Sequence, residues 1–323
     1  SFRIMTLLRH QQARKVAFYT LGYSEYIFIA KFFYRMRLKS WLDLAERYPT
    51  EEITQRVDYY NRLERKFSIP EEAIQIDQIP KQKTAYFLDL RRVLRYFPPR
   101  VRTFSRFGDK TDINAVPGFV KTRPIGGPNE NSVLLRLNSI RHFRPIIDRR
   151  PYCEKKDSLV WRGQVKPNHH RNTIFERHFN NPRVDIGMTN NRPESELQRW
   201  RRPYLSINEQ LEHKFILSIE GNDVATNLKW IAQSNSLCFM TRPKFESWFM
   251  EGTLEPGKHY VELREDYADL NEKMDYYLGR PEEAETIIRN FQKYYQQFSD
   301  LRREHLISLL VVEKYLRLSG QLP

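Results

Sequence analysis

The sequence predicts an α/β protein with a helical N-terminal region, a Rossmann-like second half and C-terminal helices. Three observations carry that prediction. Residues 1–80 place apolar side chains at helical spacing, residues 151–280 hold five short apolar runs separated by polar segments, and residues 281–323 return to helical stripes. Strands that alternate with helices imply a parallel sheet joined by crossovers. The 323 residues suffice for two lobes, each with its own core. The polar stretch Asp148–Asp157 is the predicted boundary, dividing the chain into 1–150, 151–280 and a packing tail at 281–323.

In the first part, Trp41–Tyr48 carries Trp41, Leu44 and Ala45, and Glu51–Lys66 carries Ile53, Val57, Tyr60 and Leu63 on one face. Pro49 separates these two helices, and Thr50 is placed to cap the second. Tyr26–Arg37 mixes aromatics with cations and fits either a core helix with solvated arginines or an interfacial helix facing anionic lipid. Arg100–Asp109 alternates, with Val101, Thr103, Ser105 and Phe107 on one face, and reads as a strand ending in a carboxylate. A loop rich in Pro and Gly follows, and Ser132–Phe143 resumes a regular pattern.

The strand-sized runs of the second half are Ser158–Trp161, Val184–Gly187, Phe215–Ile219, Leu237–Met240 and Tyr260–Leu263. Asn172–Asn180 and Val224–Ser234 are helix-sized. In the tail, Pro281 suits a first helical turn, Glu282 and Glu283 complement its dipole, and Ala284, Ile287, Ile288, Phe291, Tyr295 and Phe298 form one stripe. A second apolar helix spans about Leu301–Leu318.

Composition narrows the function classes. Hydrophobic residues make up 40% and charged residues 29%, which excludes a wholly disordered or collagenous chain. Cys153 and Cys238, the two cysteines, have no metal-ligand spacing and suit a reducing compartment. No run approaches the roughly 18 apolar residues of a membrane span, and the first fourteen residues lack the apolar core of a secretory signal. The formal charge of +14 fits nucleic acid, an anionic membrane surface or an anionic substrate. Nucleic acid is disfavoured, because there is no zinc-finger spacing, aromatic RNP stretch or basic zipper, and the arginine pairs are scattered.

In an open parallel sheet, ligands bind beyond the carboxyl ends of the strands. Two strand-to-helix junctions there are the candidate site. The first contains Arg162, Gly163, Gln164 and, farther on, Arg171; the second contains Glu220, Gly221, Asn222, Asp223, Asn227 and Lys229. Both offer backbone N–H groups, with Arg171 and Lys229 adding full charge, as a nucleotide diphosphate requires. Neither a Walker loop nor a G-x-G-x-x-G fingerprint is present. His169-His170 lacks the helical spacing of a metal site, and no Asp-x-Asp stands ready to hold a divalent ion, so no metal or other cofactor is expected.

At these junctions the chain resembles glycosyltransferase family 90, which includes protein O-glucosyltransferases, capsule-associated proteins and bacterial lipopolysaccharide core glycosyltransferases. The similarity runs through Trp161-Arg162-Gly163, Glu220–Trp230, Ser234–Leu237, Lys244–Phe249, His259–Val261 and Asp266–Leu270, and is nearest the bacterial branch. The resemblance implies a two-lobed GT-B fold, a UDP-sugar donor, no required metal and inversion at the anomeric carbon. It places the base at Asp109, with Asp112 in reserve, and the diphosphate-binding arginine at Arg171 or one residue earlier, at His170. Asn227 stands where other branches carry a second arginine, leaving Lys229 to supply that charge.

The implied function is transfer of a hexose from UDP to a hydroxyl of a lipopolysaccharide core acceptor, in the cytoplasm or on the inner face of the bacterial inner membrane. Peripheral contact with that anionic surface is expected, and nucleic acid is not a partner. Residues 1–150 would face the acceptor and 151–280 would hold the donor. Protein O-glycosylation is the alternative within the family, and a basic nucleic-acid or membrane-binding scaffold is the alternative outside it.

Overall fold

The computed structural model describes residues 12–22, 31–191 and 194–323. Most of the segment before Lys31, including the start of Tyr26–Arg37, lies outside the described residues. The described part of that segment forms the helix Lys31–Met36, and Phe32 and Phe33 on it are exposed.

Helix Thr50–Tyr60 buries Ile53, Val57 and Tyr60 as the spacing predicts, but it stops six residues before Lys66. Thr50 is its first helical residue, and Pro49 takes the cap position. Helix Ala85–Leu94 begins at Thr84, whose hydroxyl accepts the Phe87 N–H at 3.2 Å.

The strands of the first half are short: β1 (Ile74–Gln75), β2 (Arg102–Thr103), β3 (Ser105–Arg106), β4 (Gly118–Val120), β5 (Thr122–Pro124) and β6 (Ser132–Leu134). The strand expected over 100–107 is broken at Phe104. Before it, β2 pairs antiparallel with β1; after it, β3 pairs parallel with β4, and the Phe104 carbonyl accepts the Phe119 N–H at 2.8 Å. One alternating run thus serves two sheets. Gly118 permits the switch, because a Cβ there would collide with the Phe104 ring. The parallel sheet β3-β4-β6 is crossed by loops, not helices. Strands of two or three residues offer too little face to seat a crossover helix, so Thr50–Tyr60, Ala85–Leu94 and the C-terminal Leu301–Leu318 cover this sheet instead.

The second half follows its pattern closely. All five apolar runs are strands of one parallel sheet: β7 (Lys156–Gly163), β8 (Val184–Met188), β9 (His213–Leu217), β10 (Leu237–Thr241) and β12 (Val261–Leu263), in the order β8-β7-β9-β10-β12. Alternation sends Leu159, Trp161, Phe215, Leu217 and Phe239 to one face, where Phe175, Met274 and Ile287 meet them. Val160, Ile216, Cys238 and Met240 on the other face join a larger core shared with Phe119, Val133, Leu309 and Val312. The stretch Asp148–Asp157 is tied to the second half: Asp148 Oδ2 accepts from Lys155 Nζ at 2.7 Å and from the Asn235 N–H at 2.8 Å. Strand β11 (Phe245–Ser247), between β10 and β12 in the chain, pairs antiparallel with β5 and stitches the halves together. Buried Arg123 and Glu246 reinforce the seam at 2.7 Å.

The tail is two helices, Pro281–Gln296 with Pro281 in its first turn, and Leu301–Leu318 capped by Asp300. Glu304 on the latter is fully buried and holds both Arg56 Nη1 and Trp248 Nε1 at 2.5 Å. Among the described residues, no helix is long and apolar enough to cross a membrane.

Candidate active site

Numbered along the second half, the sheet order is 2-1-3-4-5, and the direction of strand addition reverses between β7 and β9. Loops leaving two such strands diverge and open a crevice, the usual ligand position in a doubly wound sheet. These are the two junctions predicted from sequence. Arg171 joins them: its guanidinium donates to the carbonyls of Gln164 at 2.7 Å, Ile219 at 2.9 Å and Glu220 at 2.9 Å. Its Cζ also lies 5.2 Å from the Trp161 ring centroid. Burial lowers its pKa to about 10, so the group remains charged at neutral pH. None of the described carboxylates forms an ion pair with Arg171, whose side-chain hydrogen bonds go to backbone carbonyls, so its positive charge is not neutralised there. Gly221 gives it room, since a Cβ there would lie 3.2 Å from Nη2. His170, the neighbouring alternative, points its Nε2 to the Glu220 carbonyl at 2.8 Å.

Across the crevice stands a carboxylate–ammonium–carboxylate chain. Lys121, between β4 and β5, is 2% exposed and places Nζ 2.5 Å from Asp109 Oδ1 and 2.6 Å from Asp223 Oδ2. Thr122 Oγ1 donates to Asp223 Oδ2 at 2.8 Å, and the Tyr86 hydroxyl approaches Asp109 Oδ1 at 3.4 Å. Asp109 comes from the first half and Asp223 from the second, so Lys121 holds one against the other. Burial pushes the Asp109 carboxyl up, but the hydrogen bond and charge of Lys121 outweigh it and keep it below the ordinary range. Burial of Asp223 prevails, and its pKa is raised. Both Asp109 contacts fall on Oδ1, leaving Oδ2 without a hydrogen bond among the described residues. The positive charge of Arg141, exposed on the helix Ser139–His142, contributes to lowering the pKa of both Asp109 and Arg171.

Several predicted site residues sit elsewhere. Lys229 is not at the crevice: it is fully buried, its Nζ paired with Glu251 and lying 5.4 Å from the Phe249 ring centroid. The helix expected over Val224–Ser234 is the single turn Leu228–Ile231, which turns Lys229 inward and leaves little macrodipole to offer an anion. Asn227 donates to the Leu217 carbonyl at 2.9 Å and meets Ser218 Oγ at 3.1 Å, so it braces the end of β9. Arg162 Nη2 donates to both Asp185 carboxylate oxygens, at 2.8 and 3.0 Å, and Nε donates to the Pro203 carbonyl, tying β7 to β8. Asp112 lies on the surface with Arg106 at 2.8 Å. Gly163 closes β7, Gln164 is exposed just beyond it, and Asn222 accepts from Lys166 Nζ at 3.3 Å. Lys121, Arg141 and Tyr86 escaped the sequence reading. Lys121 did carry a signal: a lysine directly after the apolar run Gly118-Phe119-Val120 needs a buried partner.

The model of glycosyl transferase family 90 matches residues 136–311, just over half the chain and including both junctions. O-glucosyltransferase LpsA of Dichelobacter nodosus is 44% identical over 317 residues, 96% of this chain and 97% of that protein. The chain belongs to glycosyl transferase family 90. It is therefore a glycosyltransferase enzyme. Human protein O-glucosyltransferase 3 is similar at 26% identity over 113 residues, 35% of this chain and 22% of that protein. The family match begins after Asp109 and Lys121, whereas the similarity to LpsA spans almost the whole chain.

Within this family 90 glycosyltransferase, Glu220 is a further titratable group of the crevice. Its Oε1 accepts the N–H groups of Lys244 and Phe245, each at 3.1 Å, and so fastens the start of β11 to the end of β9. Burial raises its pKa to about 7, against which those two hydrogen bonds act. A carboxyl with a raised folded-state pKa stabilises the fold at low pH and loses that contribution as pH climbs from the unfolded value through the folded one. The melting temperature of wild type relative to Glu220→Gln is therefore expected to decline between about pH 5 and pH 8, as thermal scans across that range would reveal. A difference independent of pH would show that Glu220 is already ionised when folded.

Proposed function

We propose that this protein is an inverting, metal-independent transferase that moves a hexose from a UDP-sugar to a hydroxyl of a lipopolysaccharide core acceptor, with two lobes of the GT-B type. The observation that carries the reading is the pairing of an open carboxylate oxygen, Asp109 Oδ2, with a cationic crevice at the sheet's switch point. In a single displacement, Asp109 Oδ2 takes the acceptor's proton as that oxygen attacks the anomeric carbon from the face opposite UDP. The bond from that carbon to the phosphate oxygen breaks, and the electron pair leaves with UDP. Arg171, held by three carbonyls, and exposed Arg141 stabilise the growing charge of the diphosphate without having to reorganise.

Metal independence is supported by Lys121. Its ammonium already neutralises the Asp109 and Asp223 carboxylates at the crevice, where a divalent ion would otherwise be held. The acceptor class rests on the relation to LpsA and on the +14 charge, which suits a phosphorylated glycolipid at an anionic surface.

The test is UDP binding by calorimetry in excess EDTA, followed by UDP release from a panel of UDP-sugars with and without a core oligosaccharide. The expected result is EDTA-resistant binding and acceptor-dependent release from one UDP-hexose. Activity abolished by EDTA and restored by Mn²⁺ or Mg²⁺ would overturn metal independence. Release equally fast without acceptor would overturn the transfer reading in favour of hydrolysis.

A further inference from the structure

A cavity of about 620 Å³ is bordered by Arg14, Arg92 and Arg136 and by the rings of Phe18, Phe143 and Tyr295, and neither Asp109 nor Arg171 lines it. Three guanidiniums in one cavity repel one another unless something anionic joins them. Arg136 lies 4.5 Å from the Phe143 ring centroid, and its Nε is buried with no hydrogen-bond partner. Arg14 donates to the Phe143 carbonyl at 3.1 Å, and burial together with the charge of Arg144 lowers its pKa. Arg92 stacks 4.4 Å from the Phe18 ring centroid and reaches Asp89 only at 3.4 Å.

Asp89 is a weak counter-ion. Burial raises its pKa to about 6, and its carboxylate is already committed to the Ser139 N–H at 2.7 Å and the Ser139 hydroxyl at 3.1 Å. Gln233, also in the wall, is spent on the carbonyls of Arg144 and Lys229 and on the Ile146 N–H. The cavity thus carries uncompensated positive charge over aromatic walls.

The rim is apolar. Leu301 in the cavity wall is 66% exposed, and Val16 and Leu21, on the helical segment 12–22 that supplies Arg14 and Phe18, are 62% and 58% exposed. Large apolar side chains turned to solvent around a cationic cavity match the two layers of a bilayer surface, acyl chains beneath and phosphates at headgroup level.

We infer that this cavity is a headgroup site: Arg14, Arg92 and Arg136 bind the phosphate of an anionic lipid while Leu301 in its wall and Leu21, on the helical face that carries Arg14 and Phe18, rest on its acyl region. The site goes beyond the transfer reaction and is separate from Asp109 and Arg171, so it stands or falls without them. It would hold the enzyme on the membrane that carries a lipid-linked acceptor.

The experiment is co-sedimentation of the full chain with phosphatidylcholine vesicles, with and without phosphatidic acid, for wild type, Arg136→Gln and Lys66→Gln. Lys66 is exposed and does not line the cavity, so its replacement removes the same unit of charge without changing the lining. Melting temperatures confirm folding. Wild type is expected to bind only the acidic vesicles, Arg136→Gln to lose about tenfold in affinity, and Lys66→Gln to change less than about twofold. Equal losses in the two variants would overturn the site and leave only net charge. Binding of a soluble sugar phosphate in place of the vesicles, dependent on Arg136, would overturn the lipid as the ligand.

Discussion

Asp109→Asn is expected to lower kcat by about 10²- to 10⁴-fold while leaving UDP affinity and melting temperature close to wild type. The amide keeps an acceptor oxygen for Lys121 and nearly the same volume, and Lys121 retains Asp223 at 2.6 Å, so the buried ammonium is not stranded. What is lost is the open oxygen that can take a proton. Asp112→Asn, altering a surface carboxylate paired with Arg106, should change kcat by less than about threefold. Steady-state kinetics on the two purified variants, beside calorimetry with UDP, separate these outcomes. An Asp109→Asn enzyme that folds and keeps more than about a tenth of wild-type turnover would place the base elsewhere. The pH profile is a second check. Because Lys121 keeps the Asp109 pKa below its ordinary range, the base form survives into acid, and the acid limb of kcat/KM should fall below the ordinary aspartate region. Lys121→Met should move that limb upward in pH.

Lys229→Ala is expected to destabilise the fold by about 3–5 kcal/mol with little change in UDP affinity of the folded protein. The variant would leave Glu251, 1% exposed, with a buried charge supported only by the N–H and hydroxyl of Ser247. Lys229 Nζ points to Glu251 and the Phe249 ring, so its removal takes nothing from the crevice. The double variant Lys229→Met with Glu251→Gln should recover most of the loss, because Met refills the volume and the neutral amide still accepts the Ser247 N–H. Urea denaturation of the three proteins measures this directly. A Lys229→Ala protein of wild-type stability that no longer binds UDP would show that the ammonium reaches the diphosphate after all.

The five strands of the second half were legible because each is a short apolar run buried on both faces, a property local to its own residues. The ends of these strands also fix where a crevice can open, and Arg171 and Glu220 stand just beyond two of them. Pro281, Asp300 and the apolar stripes of the tail are local signals of the same kind. The strand across Phe104 was misread because alternation reports burial on one side and says nothing about a change of partner. The fates of Lys229 and Lys121 were decided only by tertiary structure. Both are lysines in apolar surroundings, and whether such an ammonium faces a substrate or a carboxylate depends on which distant segment folds against it. Glu251 arrives beside Lys229 from the turn after β11, while Asp109 and Asp223 reach Lys121 from opposite halves of the chain. A buried charge must be paired, and sequence determines the need for a partner while packing alone chooses which one.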